Sequence, residues 1–258
     1  MIYKVENLSF NYPNSKKLFN NISFDIEKGQ LYTILGKNGV GKTTLFNCLL
    51  NFNTKYNGQI LLNDKDIKTL KEKEIAKLVS YVPQNTNCTF DYTVFEYVLL
   101  GTASSVSLFS SPSSKEEELV NKALKELNIT NLADKKFNEL SGGEQQLVLI
   151  ARAIVNNPEV IFFDEPTSHL DYSNQIKVLR ILNNLKEKGY TIILTTHDPN
   201  HALLLKGNCI LFGNKGTIQK GEADKILTKK NLQLVYGKEL EIKYLKEYKR
   251  NVVIYPTL

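Results

Sequence analysis

The chain has 258 residues, 42% hydrophobic and 23% charged, with a net charge of +6, which excludes a disordered or fibrous protein and fits one large domain or two lobes. A chain this long buries about three-quarters of its unfolded surface, so neither disulfides nor a structural metal is required. Cys48, Cys88 and Cys209 lack CxxC spacing and read as reduced structural thiols of a cytosolic protein, and the dispersed lysines read as a solvated surface.

In chain order, Ile2 to Tyr12 and Ile22 to Ile26 alternate like half-buried strands, with a turn over Pro13 to Lys17. Leu31 to Leu35 predicts a buried strand, followed by a glycine-rich run and a helix over Lys42 to Leu50. Gly58 to Leu62 reads as a strand, Glu72 to Leu78 as a helix, and Val79 to Val82 as a strand stopped by Pro83. Thr93 with Glu96 forms a capping box opening a helix over Val94 to Leu100, and Glu116 to Leu127 has helical periodicity. The serine-rich stretch between them, Thr102 to Ser114, reads as an exposed loop. A helix over Gly143 to Asn156, a strand over Val160 to Asp164, a helix over Ser173 to Lys188 and strands over Thr191 to Thr195 and Asn208 to Phe212 complete the pattern. Such alternation predicts an α/β fold with a mainly parallel sheet, helices on both faces, an antiparallel opening and an inserted helical lobe. There is no run of 18 apolar residues and no signal-peptide pattern at Met1 to Glu6, so the chain is expected neither to cross a membrane nor to be secreted.

Gly36-Lys37-Asn38-Gly39-Val40-Gly41-Lys42-Thr43 satisfies GxxxxGK[ST] between a strand and a helix. Glycines let backbone N–H groups curl around phosphate oxygens, the helix N-terminus adds its dipole, Lys42 supplies a point charge and the Thr43 hydroxyl is a Mg²⁺ ligand. The alternative reading of the same run is a plain glycine turn before a helix. Further on, Val160 to Phe163 is an apolar strand that delivers Asp164 and Glu165 at its carboxyl end. Such acids are commonly structural; beside a phosphate loop, Asp164 suits a Mg²⁺ holder and Glu165 a base for water.

Leu140-Ser141-Gly142-Gly143-Glu144-Gln145-Gln146 precedes the acids. By itself Ser141 reads as a helix N-cap. With this segment the chain resembles the ATPase subunit of an ABC transporter, whose signature motif it matches. The resemblance implies that Ser141, Gly142 and Gly143 contact the γ-phosphate of an ATP held by the opposite copy. Gln84, in Tyr81-Val82-Pro83-Gln84, matches the glutamine that contacts Mg²⁺ and the attacking water. Ser168-His169-Leu170-Asp171 matches the loop crossing the dimer interface, and His197, after Leu194-Thr195-Thr196, the histidine on the γ-phosphate. Taken singly, Gln84 reads as a turn residue and His197 as a core histidine; their joint order argues otherwise. Tyr12 matches the aromatic that stacks on adenine, while alternation with Leu8 and Phe10 also allows a core position. Lys37 and His169 depart from the family's usual proline and alanine or asparagine, at positions that donate no required group.

The resemblance implies a nucleotide-binding core over residues 1–84 and 158–227, a helical subdomain over 85–157 and a tail over 228–258. It implies ATP, bound also through Thr44, with Mg²⁺ as cofactor, and an ATP-bound homodimer working with separate permease subunits and, indirectly, a solute-binding protein, at the cytoplasmic face of the cell membrane. Tyr92 to Gly101, Leu147 to Ala153 and the tail resemble importers of the iron-siderophore, haem and cobalamin type, some relatives carrying oxyanions such as molybdate; the tail also reads as a strand pair that merely packs on the core. A soluble nucleic-acid ABC protein would usually carry two cassettes or coiled-coil insertions, so no nucleic acid is expected.

Overall fold

The computed structural model describes residues 1–13, 18–84, 88–104, 113–213, 216–237 and 240–255. They form two compact units, Met1–Leu70 with Thr191–Leu258, and Lys71–Tyr190. Most of the turn expected over Pro13 to Lys17 and most of the serine-rich stretch lie outside the described residues.

The first unit opens with β1 (Tyr3–Phe10) and β2 (Phe19–Ile26), antiparallel, with Leu8 opposite Ile22. Tyr3, Val5, Leu8 and Phe10 are buried; the even spacing breaks where Asn7 takes a left-handed φ of 50° in a register shift. β3 (Leu31–Leu35) is buried at all five positions, as a strand covered on both faces must be, and leads to α1 (Lys42–Leu49). β4 (Asn57–Leu62) pairs with the other edge of β1 and with the two-residue β5 (Lys65–Asp66).

The second unit runs through α2 (Glu72–Leu78), β6 (Val79–Val82), α3 (Val94–Leu99), α4 (Ser114–Glu126), α5 (Gly142–Ile154), β7 (Val160–Phe163) and α6 (Tyr172–Glu187). β6 and β7 are parallel, Val82 opposite Phe163. Capping boxes at Thr93, Ser113 and Ser141 open α3, α4 and α5. The boxes at Ser113 and Ser141 start α4 two residues, and α5 one residue, earlier than periodicity alone predicts, because the cap satisfies N–H groups ahead of the first apolar position. The guanidinium of Arg152 on α5 donates to the Tyr97 hydroxyl at 3.1 Å, and the Tyr97 ring stacks on Phe137 at 4.3 Å. Beside this contact a Cβ on Gly101 would lie 2.4 Å from the Arg152 carbonyl oxygen. Gly101→Ala is therefore expected to destabilise the protein by about 1–3 kcal/mol, since backbone must move; urea unfolding measures it, and an unchanged midpoint would refute the contact.

Back in the first unit, β8 (Thr191–Thr196), α7 (Pro199–Leu205) and β9 (Asn208–Phe212) follow. β3 lies between β8 and β9, parallel to both. Asn208 to Phe212 is not the last strand of this sheet: β10 (Ile218–Glu222) pairs antiparallel on its edge. α8 (Ala223–Ile226) follows, and α9 (Lys229–Tyr236) with the antiparallel pair β11 (Glu241–Leu245) and β12 (Arg250–Ile254) forms the tail. The tail packs on the core: its Leu232, Val235, Leu240 and Val253 share a buried cluster with Leu35, Leu203, Leu211 and Leu227. Among the described residues no helix is long and apolar enough to cross a membrane.

Candidate active site

In the first unit the parallel pairing of β3 and β8 puts Leu35 opposite Thr196, and Gly36 N–H closes the ladder on the Thr196 carbonyl at 3.4 Å. The loop Gly36 to Gly41 and His197 therefore leave the sheet at the same carboxyl end, where open α/β sheets bind ligands. The loop's shape demands its glycines. A Cβ on Gly36 would meet Val40 Cγ1 at 2.9 Å and Phe212 Cβ at 3.0 Å, while Gly39 and Gly41 have φ of 77° and 112°, conformations costly for other residues. Asn38 and Gly39 are exposed at the crest. No side chain caps α1, so its first turn offers N–H groups of the kind phosphate oxygens satisfy.

Lys42 is buried, and its Nζ donates to the carbonyls of Gly36 at 2.9 Å and Lys37 at 3.2 Å, which fixes an ammonium inside the curl of the loop. Thr43 is exposed; Thr44 is buried with Oγ1 3.1 Å from the Tyr12 hydroxyl. Tyr12 is 47% exposed, its ring set edge-on to Phe10 at 4.9 Å, so it is not a core residue. His197 is exposed as well, and its carbonyl accepts from the Tyr236 hydroxyl at 3.0 Å. The core histidine here is His201, which the sequence reading passed over. Its Nδ1 lies 3.3 Å from Thr196 Oγ1 and its Nε2 3.5 Å from Asp198 Oδ2. Burial pushes its pKa below the ordinary histidine value, against the opposing pull of Asp198.

The second unit gathers a different set. Asp164 N–H donates to the Val82 carbonyl at 2.9 Å, so Pro83-Gln84 and Asp164-Glu165 leave the β6–β7 pair at one edge. Asp164 is buried, and the Tyr81 hydroxyl lies 3.5 Å from its Oδ2. Burial first, and then the neighbouring Asp164 charge, push the Tyr81 phenol up to about 12, leaving it a donor at neutral pH. Glu165 has φ of 45°, strain of the kind that concentrates at functional sites. Its carbonyl accepts from Ser168 N–H at 3.0 Å and Ser168 Oγ at 2.9 Å, a turn that holds the carboxylate's backbone. Gln84 is exposed, and 85–87 lie outside the described residues.

Ser141 caps α5. Glu144 Oε2 accepts from Ser141 N–H at 2.9 Å and from Ser141 Oγ at 2.7 Å, which hold the Glu144 carboxyl below the usual range. Around Gly142 a Cβ would meet only Leu170, at 4.0 Å, so the helix end is open to a ligand. Gly143 is required for a different reason: a Cβ there would fall 2.6 Å from Asn174 Cγ. Asn174 in turn donates its backbone N–H to Asp171 Oδ1 at 2.8 Å and its Nδ2 to Asp171 Oδ2 at 2.9 Å. Asp171, the cap of α6, is held below the usual carboxylate range by these bonds. The signature segment and Asp171 thus meet through Asn174, a residue with no sequence signal of its own.

The structure therefore builds two constellations. The first unit holds the phosphate loop with Tyr12 and His197; the second holds Gln84, Asp164 and Glu165 at one strand edge, and Ser141 to Gly143 with Asp171 at two adjoining helix starts.

A family profile described as "ABC transporter" matches residues 19–168. The molybdate import ATP-binding protein MolC of Haemophilus influenzae is 37% identical over 233 residues, 90% of this chain and 87% of that protein. A protein of Helicobacter pylori named "Probable iron chelatin transport ATP-binding protein" is 34% identical over 243 residues, 93% of this chain and 95% of that one. Among solved structures, one described as an inward-facing conformation of an ABC transporter of metal-chelate type has a TM-score of 0.87 and 33% identity, covering 99% of this chain and 97% of that chain.

Proposed function

The chain belongs to the ABC transporter family as an ATP-binding subunit, an ATPase that powers transport, and from that premise we propose that it drives import of a metal chelate through separate permease subunits. The observation that supports the metal-chelate reading is similarity along almost the whole chain, tail included, to the metal-chelate type structure, and import is the direction named for MolC. A molybdate-type oxyanion is the second reading, favoured by MolC.

ATP is bound by the backbone N–H groups of Gly36 to Gly41, by Lys42 and by the hydroxyls of Thr43 and Thr44, with adenine on the exposed face of Tyr12. Thr43, Gln84 and Asp164 would hold Mg²⁺ through oxygen atoms alone, which suits this hard ion; it keeps several waters and takes one or two carboxylates beside the phosphates, here Asp164. The chemistry Mg²⁺ supplies there is neutralisation of charge on the phosphate oxygens. Glu165 takes a proton from the attacking water as its oxygen bonds to the γ-phosphorus. The bond to the β–γ bridging oxygen breaks, and ADP carries that electron pair away. His197 donates to a γ-phosphate oxygen and holds it in line.

Two copies sandwich two ATP molecules, Ser141, Gly142 and Gly143 of one copy reaching the γ-phosphate held by the other, with Asp171 beside them at the interface. Hydrolysis removes the charge that bridges the copies. The helical subdomain, residues 85–157, docks on the permease at the cytoplasmic face of the membrane, and a solute-binding protein acts only through that permease. Nucleic acid has no part.

In liposomes carrying the permease, uptake of an iron chelate, haem or a corrinoid is expected to require both this chain and ATP. Uptake of molybdate instead would promote the second reading. ATPase activity stimulated by RNA or DNA and indifferent to the permease would overturn transport altogether.

A further inference from the structure

The tail reaches back to the segment that carries His197. α9 is capped by Thr228 and anchored by buried Leu232 and Val235, and its last residue, Tyr236, packs against the same cluster and donates its hydroxyl to the His197 carbonyl at 3.0 Å. Three residues beyond His197, Asn200 bonds the backbone of β12 in both directions: Val253 N–H to Asn200 Oδ1 at 2.9 Å, and Asn200 Nδ2 to the Val253 carbonyl at 3.2 Å. Asn200 N–H is itself held by Asp198 Oδ1 at 2.8 Å. Segment 197–200 is therefore tied to two separate pieces of the tail and is flanked by the buried pair of His201 and Thr196.

We propose that Tyr236 is a positioning residue for ATP hydrolysis: its hydroxyl fixes the peptide after His197 and thereby aims the imidazole at the γ-phosphate. His197 lies between the end of β8 and the start of α7, and the phenol adds a restraint on its carbonyl at that junction. A turn of about 15° in that backbone moves a ring nitrogen some 4 Å away by about 1 Å, and displacements of that order cost up to about 10²-fold in rate. The tail is thus part of the catalytic apparatus, although it contributes no group that touches ATP.

This inference rests on the γ-phosphate role proposed for His197, and the test separates the two. Tyr236→Phe keeps the ring and removes the hydroxyl. Steady-state hydrolysis by the full chain is expected to fall about tenfold in kcat, with the Kd for ATP within twofold and Tm within about 4 °C of the parent. In a His197→Ala background the same change is expected to cost nothing further. Parental kcat in His197→Ala overturns the histidine's role and the tie with it. A low kcat in His197→Ala together with parental kcat in Tyr236→Phe, or losses that simply multiply, overturns the tie alone. If Tyr236→Phe fails to fold, Asn200→Ser, which cuts the β12 tie, gives the independent reading: reduced kcat at unchanged Kd supports the device, and parental kcat overturns it.

Discussion

Glu165→Gln is expected to slow ATP turnover by about 10²- to 10⁴-fold, roughly 3–5 kcal/mol of barrier, while ATP still binds. The amide preserves the shape of the side chain and the turn in which Ser168 N–H and Oγ grip the Glu165 carbonyl, so the strained φ of 45° and the aim of the side chain survive. What disappears is the basicity of the carboxylate: the amide oxygen still accepts a hydrogen bond but is too weak a base to take the proton of water. A chain that binds ATP and cannot remove its γ-phosphate should accumulate as an ATP-bound dimer in light scattering. Hydrolysis at the parental rate would show that the base lies elsewhere.

Lys42→Ala is expected to weaken ATP binding by about 10²-fold or more and to abolish hydrolysis with it, because a desolvated triphosphate loses its main countercharge. The ammonium is buried, and the Gly36 and Lys37 carbonyls hold it at 2.9 and 3.2 Å inside the loop. Removing it also leaves those carbonyls without that donor, so a fall in Tm accompanies the loss of binding. Calorimetry separates the two: near-normal ATP affinity in a folded Lys42→Ala chain would reject the phosphate loop as the binding site.

Both predictions rest on residues that stand out in the sequence because their relations are local. The phosphate loop is eight consecutive residues, the acids end one strand, and each capping box spans four positions; short spacing along the chain translates directly into contact in a turn or a helix start. Leu31–Leu35, Glu72–Leu78 and Val79–Val82 match their expected bounds for the same reason. Alternation misleads where a strand is interrupted, as at Asn7 in β1, and where an element stops. β1 ends at Phe10, so Tyr12 is released from the face that periodicity would assign it, and β8 ends at Thr196, so His197 lies just past the buried strand; both are exposed.

What only the tertiary structure decided is how these local pieces are held. The hydroxyl of Tyr236 meets the His197 carbonyl across 39 positions and Asn200 meets Val253 across 53, while Asn174 fills the space that Gly143 leaves open. None of these partners carries a pattern, because a contact at long separation is set by how strands and helices pack, and a tyrosine or asparagine looks the same in the chain whether it faces water or a catalytic loop. Among the residues proposed to bind ATP and break its terminal bond, the phosphate loop and the acid pair stand out by local spacing, whereas Gln84, Ser141, Asp171 and His197 acquire their roles through the resemblance to the family. The restraints that aim them arise from packing of the tail and from α5 meeting α6, which no local spacing encodes.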